Sequence, residues 1–329
     1  MTKSNFRTYK VATLGLDGSV ASSISGPADL FAAANVARAS APLELKESLP
    51  RFEWCLAADT IVASHSGLEF SPTATLADIT KYDLVIVPGF GSFDPQSRLD
   101  VLASSADVIK KLEELRTERT TILGLCTGTI LLAEAGLLDG RSATTSWWNA
   151  AEFARSYPLV DLNQSQLIVH EGNIISAGAG AAYFDAILYL LDRLAGPWLA
   201  ETVAKYFVLD QRRTSQAEYV LPSFMAHSDK VITSADRWLR ERLADKEPIP
   251  LLASHLGMSQ RSLHRHFIRI LGISPQRYAL SLRMSHARMM LQNGSESVET
   301  ISGQVGYVDA NSFRRAFKTF FGKNTSAYR

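Results

Sequence analysis

Apolar and polar positions follow two rhythms along this chain. From Tyr9 to about Gly196, short unbroken apolar runs such as Leu84-Val85-Ile86-Val87 separate longer stretches of helical period. Strands buried on both faces of a parallel sheet read this way, so the pattern predicts an α/β domain with a flavodoxin-like, mostly parallel sheet. Strands are expected at Lys10 to Leu16, Phe52 to Ala58, Leu84 to Pro88, Thr121 to Leu125, Ser142 to Thr145, Leu167 to His170 and Ile174 to Ser176. Helices are expected at Pro27 to Ala39, Ser104 to Glu118, Thr127 to Ala135, Ala150 to Arg155, Ala181 to Leu194 and Pro197 to Leu209. From Gln211 to Asp229 the chain turns polar and is then broken by proline, which reads as a linker.

Beyond the linker only helical periodicity remains, and one pattern is written twice. Leu263, Arg265, Phe267, Gly272 and Tyr278 answer to Phe313, Arg315, Phe317, Gly322 and Tyr328 at a shared offset of fifty. Upstream the offset slips to forty-nine, Leu256-Gly257 answering to Val305-Gly306, because the second copy carries one extra residue in Tyr307-Val308-Asp309. An offset held at so many positions with residue type preserved is a duplicated supersecondary unit. Each copy has a short apolar helix, then Gly257 or Gly306 to end it in the left-handed conformation, then Ser259 or Asp309 as the N-cap of a second helix. That second helix packs Leu263, Phe267 and Ile270, or Phe313, Phe317 and Phe320, on one face. Its other face carries Arg261, His264, Arg265 and Arg269, or Asn311, Arg314, Arg315 and Lys318. Two helix-turn-helix units follow, over 249–270 and 298–321. Between them Ser274-Pro275 opens a helix to about Leu291, whose length of about 25 Å suits holding two recognition helices roughly one DNA turn, ~34 Å, apart. A helix from Lys230 to Leu243 is expected to pack the first unit from outside.

Charge sharpens the division. Residues 229–329 hold sixteen Lys and Arg against eight Asp and Glu, a net of +8, while residues 1–228 are at −7, so the overall +1 conceals a basic domain joined to an acidic one. A basic helical domain of this kind expects double-stranded DNA as its partner. The 46% apolar composition of the 329 residues is ample for buried cores in more than one domain. No run of eighteen apolar residues occurs and the first residues lack the apolar segment of a signal peptide, so a cytoplasmic protein without a membrane partner is expected. With only Cys55 and Cys126, neither a disulfide framework nor a cysteine metal cluster is expected.

Residues 229–329, including the closing Ser326-Ala327-Tyr328-Arg329, resemble the all-α DNA-binding domain of AraC/XylS-type transcription regulators. The resemblance implies that Arg261, His264 and Arg265 on the first recognition helix, and Asn311, Arg314 and Arg315 on the second, read bases. The chemistry suits this: Arg grips guanine bidentately and Asn grips adenine. One departure is Thr325, where family members often have Pro.

The centre of the N-terminal domain is Leu123-Gly124-Leu125-Cys126-Thr127-Gly128-Thr129. A strand running into a residue flanked by glycines two positions on either side, then a helix, has the form of a nucleophile elbow. A cysteine at a helix N-terminus is expected to have a depressed pKa, and Val87-Pro88-Gly89-Phe90-Gly91 is a candidate oxyanion turn. The residues alone leave a reactive and a buried structural Cys126 both open. Residues 9 to about 196 resemble the ThiJ/PfpI, or class I glutamine amidotransferase-like, superfamily, on this elbow, on Ser25-Gly26-Pro27-Ala28-Asp29-Leu30-Phe31, and on the run Glu134 to Thr145. Enzymes of that superfamily commonly have an acid before the Gly-Pro, where Ser22-Ser23-Ile24-Ser25 stand here. They often supply a His beside the cysteine or before a later Trp, where this chain has Thr127 and Ser146. No catalytic residue is therefore assigned, Cys126 belonging to a degenerate elbow, with His65 and His170 the remaining imidazoles of interest.

These readings divide the chain into a sensor domain at 1–211, a linker at 212–228 and a DNA-binding domain at 229–329. They imply a sequence-specific regulator, expected to be an activator, controlled by a small-molecule effector of the amino acid or quaternary amine class. Gly89, Phe90, Cys126, Thr127, Ser146 and Trp147 are its expected pocket, with Trp147 and Trp148 as a candidate cation cage or simply core. A homodimer is expected, RNA polymerase is a further expected partner, and no cofactor or metal is. The alternative from another class is a cysteine-dependent hydratase or hydrolase carrying a DNA-binding tail.

Overall fold

The glycines at the elbow set how closely strand and helix approach, and the N-terminal fold is arranged around that approach. In the computed structural model, residues 7–91, 95–117, 119–210, 213–216, 219, 229–271, 273–294, 296–321 and 324–329 are described. They fall into two units, Met1–Ala217 and Glu218–Arg329. Most of the expected linker, and the paired Gly272 and Gly322, lie outside the described residues.

Six strands form the main sheet of the first unit: β1 (Thr8–Leu14), β2 (Arg51–Ala57), β3 (Leu84–Val87), β4 (Thr121–Leu125), β5 (Ile168–Glu171) and β6 (Ile174–Ala177). Their order is β2-β1-β3-β4-β6-β5, all parallel except the β5/β6 hairpin at the edge. Helices cover both faces: α1 (Ala21–Ala39), α2 (Pro95–Ser104), α3 (Ala106–Glu114), α4 (Gly128–Glu134), α5 (Ala150–Ser156), α6 (Ala182–Ala195) and α7 (Pro197–Tyr206). The unbroken run in β3 is explained by this sandwich. Leu84 and Ile86 enter the core shared with α1, α6 and α7, whereas Val85 and Val87 enter the core shared with α3 and α4.

Three expected elements differ. Helix α1 starts at Ala21, leaving Pro27 inside it. Tertiary docking outweighs the proline's missing N–H: the Val20 N–H donates to the Gly89 carbonyl at 2.8 Å, the Ser23 hydroxyl donates to the same oxygen at 3.2 Å, and Ile24 is fully buried. The helix expected from Ser104 to Glu118 is the shorter α3, which ends in a 3-10 turn over Leu115–Thr117, and an unexpected helix, α2, precedes it. The strand expected from Ser142 to Thr145 is only Ser142–Ala143, paired with Asp161–Leu162 outside the main sheet. It stops there because the Thr144 N–H is taken by the Ser176 hydroxyl at 2.9 Å.

The second unit contains α8 (Lys230–Arg240), α9 (Pro248–His255), α10 (Gln260–Leu271), α11 (Pro275–Asn293), α12 (Val298–Gln304) and α13 (Ala310–Phe321). The duplication survives in detail. Gly257 and Gly306 have φ of 64° and 83°, the left-handed residues that end α9 and α12. Ser259 accepts from the Ser262 N–H at 3.1 Å and Asp309 from the Ser312 N–H at 2.8 Å, so both cap as expected. Residues 261–270 and 311–320 share one burial pattern, position by position. Phe267 meets Tyr278 edge-on at 5.5 Å and 79°, and Phe317 meets Tyr328 at 5.4 Å and 80°. The 19 residues of α11 span about 28 Å. Its first half gives Tyr278, Ala279 and Leu282 to one core, and its second half gives Met284, Ala287 and Leu291 to the other.

The first core is closed by Asp229. Its carboxylate caps α8 by accepting from the Val231 and Ile232 N–H groups at 2.9 and 3.0 Å, and also meets His266 Nε2 of α10 at 2.9 Å. Burial alone would raise its pKa, but the bonds to His266 and the amides outweigh it and hold the carboxyl below its ordinary 3.8. A folded-state pKa that is depressed contributes stability above the unfolded value, lost as pH falls through the folded one. Asp229→Ala is therefore expected to cost roughly 0.5–2 kcal/mol at neutral pH, as lost N-caps do. Thermal melts of the two proteins should converge as pH falls below 3.8.

Candidate functional site

Strand β4 delivers Cys126 into a strained turn. Its φ is +54°, a conformation non-glycine residues rarely adopt. The turn is tight because its neighbours have no side chains: a Cβ on Gly128 would stand 2.5 Å from the Val87 and Pro88 carbonyl oxygens, and one on Gly124 would stand 2.7 Å from Leu132. The Cys126 N–H donates to Ala177 O at 2.9 Å, and the Thr145 hydroxyl donates to Cys126 O at 3.0 Å, so strand β6 and the loop after Ala143 fix the residue from two sides.

The electrostatics overturn the expected thiolate. Cys126 is only 7% exposed, and burial pushes its thiol above the ordinary value, against N–H groups of Gly180 and Thr127 and hydroxyls of Ser146 and Thr127 that hydrogen-bond it. Helix α4 is seven residues long, and its dipole does not offset the loss of water. The groups that act most strongly on the thiol are backbone N–H groups and hydroxyls. Both ring nitrogens of His170 are engaged elsewhere, Nδ1 with Tyr189 Oη at 2.8 Å and Nε2 with Gly172 O at 3.1 Å. His65 is exposed, its ring lying against Gly91.

The oxyanion turn is also reassigned. The Phe90 N–H donates to the Thr127 hydroxyl oxygen at 2.7 Å, and that hydroxyl donates to Phe90 O at 2.8 Å, which locks the turn to Thr127. The donors at the sulfur come instead from Gly180 and Thr127, and sequence reading missed Gly180. Of the expected pocket residues, Gly89 stands against Cys126, a Cβ there meeting the cysteine Cβ at 3.0 Å. Thr127 and Ser146 hydrogen-bond the sulfur, whereas the Phe90 ring belongs to the core between β3, α3 and α4. Trp147 is buried and meets Trp148 edge-to-face at 5.1 Å. A cavity of ≈ 290 Å³ lies elsewhere, between β5, α6 and α7, lined by Ile168, Asp185, Tyr189, Glu201 and Arg213 among others, and none of the six expected residues lines it. Among the described residues no cluster of His, Cys, Asp or Glu is arranged to hold a metal, and no helix is long and apolar enough to cross a membrane.

In the second unit Arg261, His264 and Arg265 stand exposed on α10, and none of them makes a side-chain hydrogen bond or ion pair among the described residues. On α13 the counterparts are exposed but engaged. Arg314 donates to Asn311 Oδ1 at 3.1 Å and to Glu299 at 2.7 Å, and Arg315 donates to the Ser312 hydroxyl at 3.1 Å. The sequence reading did not single out Glu299; at the matching offset of forty-nine the first copy has Pro250.

Comparison with known proteins agrees with both halves. Residues 9–192 match the DJ-1/PfpI family and residues 252–329 a helix-turn-helix domain. The HTH-type transcriptional regulator CdhR of Pseudomonas aeruginosa is 30% identical over 271 residues, 80% of this chain and 77% of that protein. Isonitrile hydratase of Pseudomonas putida is 29% identical over 170 residues, 49% of this chain and 68% of the enzyme. A crystal structure of a ThiJ/PfpI family protein from Pseudomonas syringae superposes with a TM-score of 0.53 at 20% identity, covering 70% of this chain and 88% of that one, and so shares the fold. The chain belongs to the DJ-1/PfpI family, among the AraC-type transcription regulators that join this domain to a DNA-binding helix-turn-helix module.

Proposed function

We propose that this regulator is an activator whose N-terminal domain binds a small zwitterionic effector, an amino acid or quaternary amine, at the elbow without transforming it. The observation that carries the reading is the set of groups around Cys126, backbone N–H groups of Gly180 and Thr127 and hydroxyls of Ser146 and Thr127, with burial pushing the thiol above its ordinary value. Hydrolytic or hydratase chemistry needs a general base, typically worth 10² to 10⁴ in rate, and the groups that hydrogen-bond the sulfur are N–H groups and hydroxyls. N–H and hydroxyl donors suit a carboxylate, and the faces of the Trp147–Trp148 pair suit a cationic amine. Binding favours one of two arrangements of the protein and so alters its engagement of DNA. Self-association through the N-terminal domain and contact with RNA polymerase complete the proposal, as the resemblance implies.

Base reading is assigned to Arg261, His264 and Arg265, and to Asn311, Arg314 and Arg315. The free side chains of α10 support a dominant role for the first unit. The second reading, a cysteine-dependent hydratase, is favoured only by the likeness to isonitrile hydratase.

A thermal-shift screen of the full chain against amino acids, betaines and related amines tests the effector, because a ligand confined to the folded state must raise its melting temperature. At least one member is expected to do so, and a blank panel would sink the effector class. Cys126→Ser is expected to retain effector-dependent DNA binding, and alkylation of the wild-type thiol should accelerate only above its ordinary pKa of 9.0. Turnover of an isonitrile, abolished by the serine, would instead establish the enzyme. Arg265→Ala and Arg315→Ala should each relax base preference at one position of a selected site by roughly 1–3 kcal/mol. Uniform weakening on all sequences would mean phosphate contacts instead.

A further inference from the structure

The segment 213–216, the last part of the first unit before the chain runs toward the DNA-binding unit, is fastened along its length. Arg213 pairs with the buried carboxylate of Asp185 through Nε at 3.2 Å and Nη2 at 2.5 Å. The Leu167 N–H donates to Thr214 O at 3.0 Å, and the Gln216 N–H donates to Ser165 O at 3.0 Å. The side chain of Gln216 then turns inward and is 1% exposed.

Its amide is fully used. Oε1 accepts from the Ala179 N–H at 3.0 Å, while Nε2 donates to Thr145 O at 2.8 Å, Gln164 O at 3.0 Å and the Thr144 hydroxyl oxygen at 3.2 Å. Gly178 makes room for it, since a Cβ there would lie 2.6 Å from Oε1. The amide therefore joins two loops, each one residue before that loop hands a group to the Cys126 sulfur. Thr145 precedes Ser146, whose hydroxyl bonds the thiol, and Ala179 precedes Gly180, whose N–H does so. Thr145 itself holds the Cys126 carbonyl.

We propose that Gln216 is the positioning residue that links occupancy of the elbow to the chain segment entering the DNA-binding unit. This rests on the reading that the effector binds at the elbow. An effector that displaces the Ser146 hydroxyl or the Gly180 N–H moves Thr145 and Ala179, the two anchors of the amide. A buried amide with every group bonded does not yield gradually, because losing either loop leaves a donor or acceptor unpaired away from water. Gln216 is thus either seated or released, and release frees the segment that Arg213 and Thr214 hold beside it. Such an element has two arrangements that a ligand can bias.

Two substitutions test this from opposite sides in the full chain. Gln216→Ala removes the amide, and Gly178→Ala expels it without touching the segment; Gln216→Glu, of the same shape, serves where alanine impairs folding. DNA affinity is measured on a duplex selected by the wild-type protein, with and without glycine betaine or L-arginine. The variants are expected to change affinity in the same direction by about 5-fold or more, the usual lower range of coupling between sites, and to lose any response to either compound. Trypsin should cleave after Arg213 faster in both. Folded variants that melt lower yet bind and respond as wild type does, or that shift affinity in opposite directions, would make Gln216 a structural clamp and overturn the proposal. If neither compound moves the wild type while both variants shift affinity together, coupling of Gln216 to the DNA-binding unit stands, and the effector reading falls if the wider amine panel is also blank.

Discussion

The N-terminal unit depends on one close approach, strand β4 running into helix α4 through Cys126 at φ +54°. A non-glycine residue there is strained, and the strain persists only because the surroundings leave no alternative. The carbonyls of Val87 and Pro88 close over Gly128, Leu132 closes over Gly124, and Ala177 and Thr145 hold the cysteine's own N–H and carbonyl. The turn that ends β3 is locked to Thr127, and its Gly89 carbonyl receives the start of α1 through Val20 and Ser23. The stretches that carry Gly89, Thr145 and Ala177 therefore converge on one residue, and a small displacement at the sulfur cannot be absorbed locally in so densely packed a region.

That convergence also buries the thiol. An elbow displays its side chain in an open pocket in an enzyme that uses it as a nucleophile, and a base nearby keeps the proton mobile. Here hydroxyls and backbone N–H groups surround a buried sulfur, and burial dominates. Such surroundings suit hydrogen bonding to a group with lone pairs better than proton removal, and one fold can carry unrelated functions on the same turn.

The parts of this molecule legible in the sequence were those whose signal repeats. Leu84 to Val87 reads as a doubly buried strand because every residue is apolar, and the paired cores around Phe267 and Phe317 read from spacing and duplication. Where a single tertiary bond decides, sequence is silent. The start of α1 six residues before Pro27 depends on Gly89 accepting from Val20 and Ser23, and nothing local announces it. The depressed thiol pKa was inferred from the helix terminus, a local cue, and was reversed by burial, which is not local. Gln216 sits in a polar run that composition assigns to a linker, yet it is among the most buried polar side chains of the chain, because its partners are backbone groups 37 to 71 residues away.

The duplicated units show the same division between frame and face. Their apolar positions, caps, left-handed glycines and Phe–Tyr contacts coincide, because each must close an equivalent small core on the shared helix α11. Their outer faces are free of that demand and have diverged. In the second unit Glu299 draws Arg314 back toward its own protein, while Pro250 leaves the first unit without such a partner. The Glu299 side chain is 65% exposed, so water screens the pair, which orients Arg314 without withholding it. The outer faces thus differ in what already holds them: Arg314 carries an internal contact to Glu299, whereas Arg261, His264 and Arg265 carry none among the described residues.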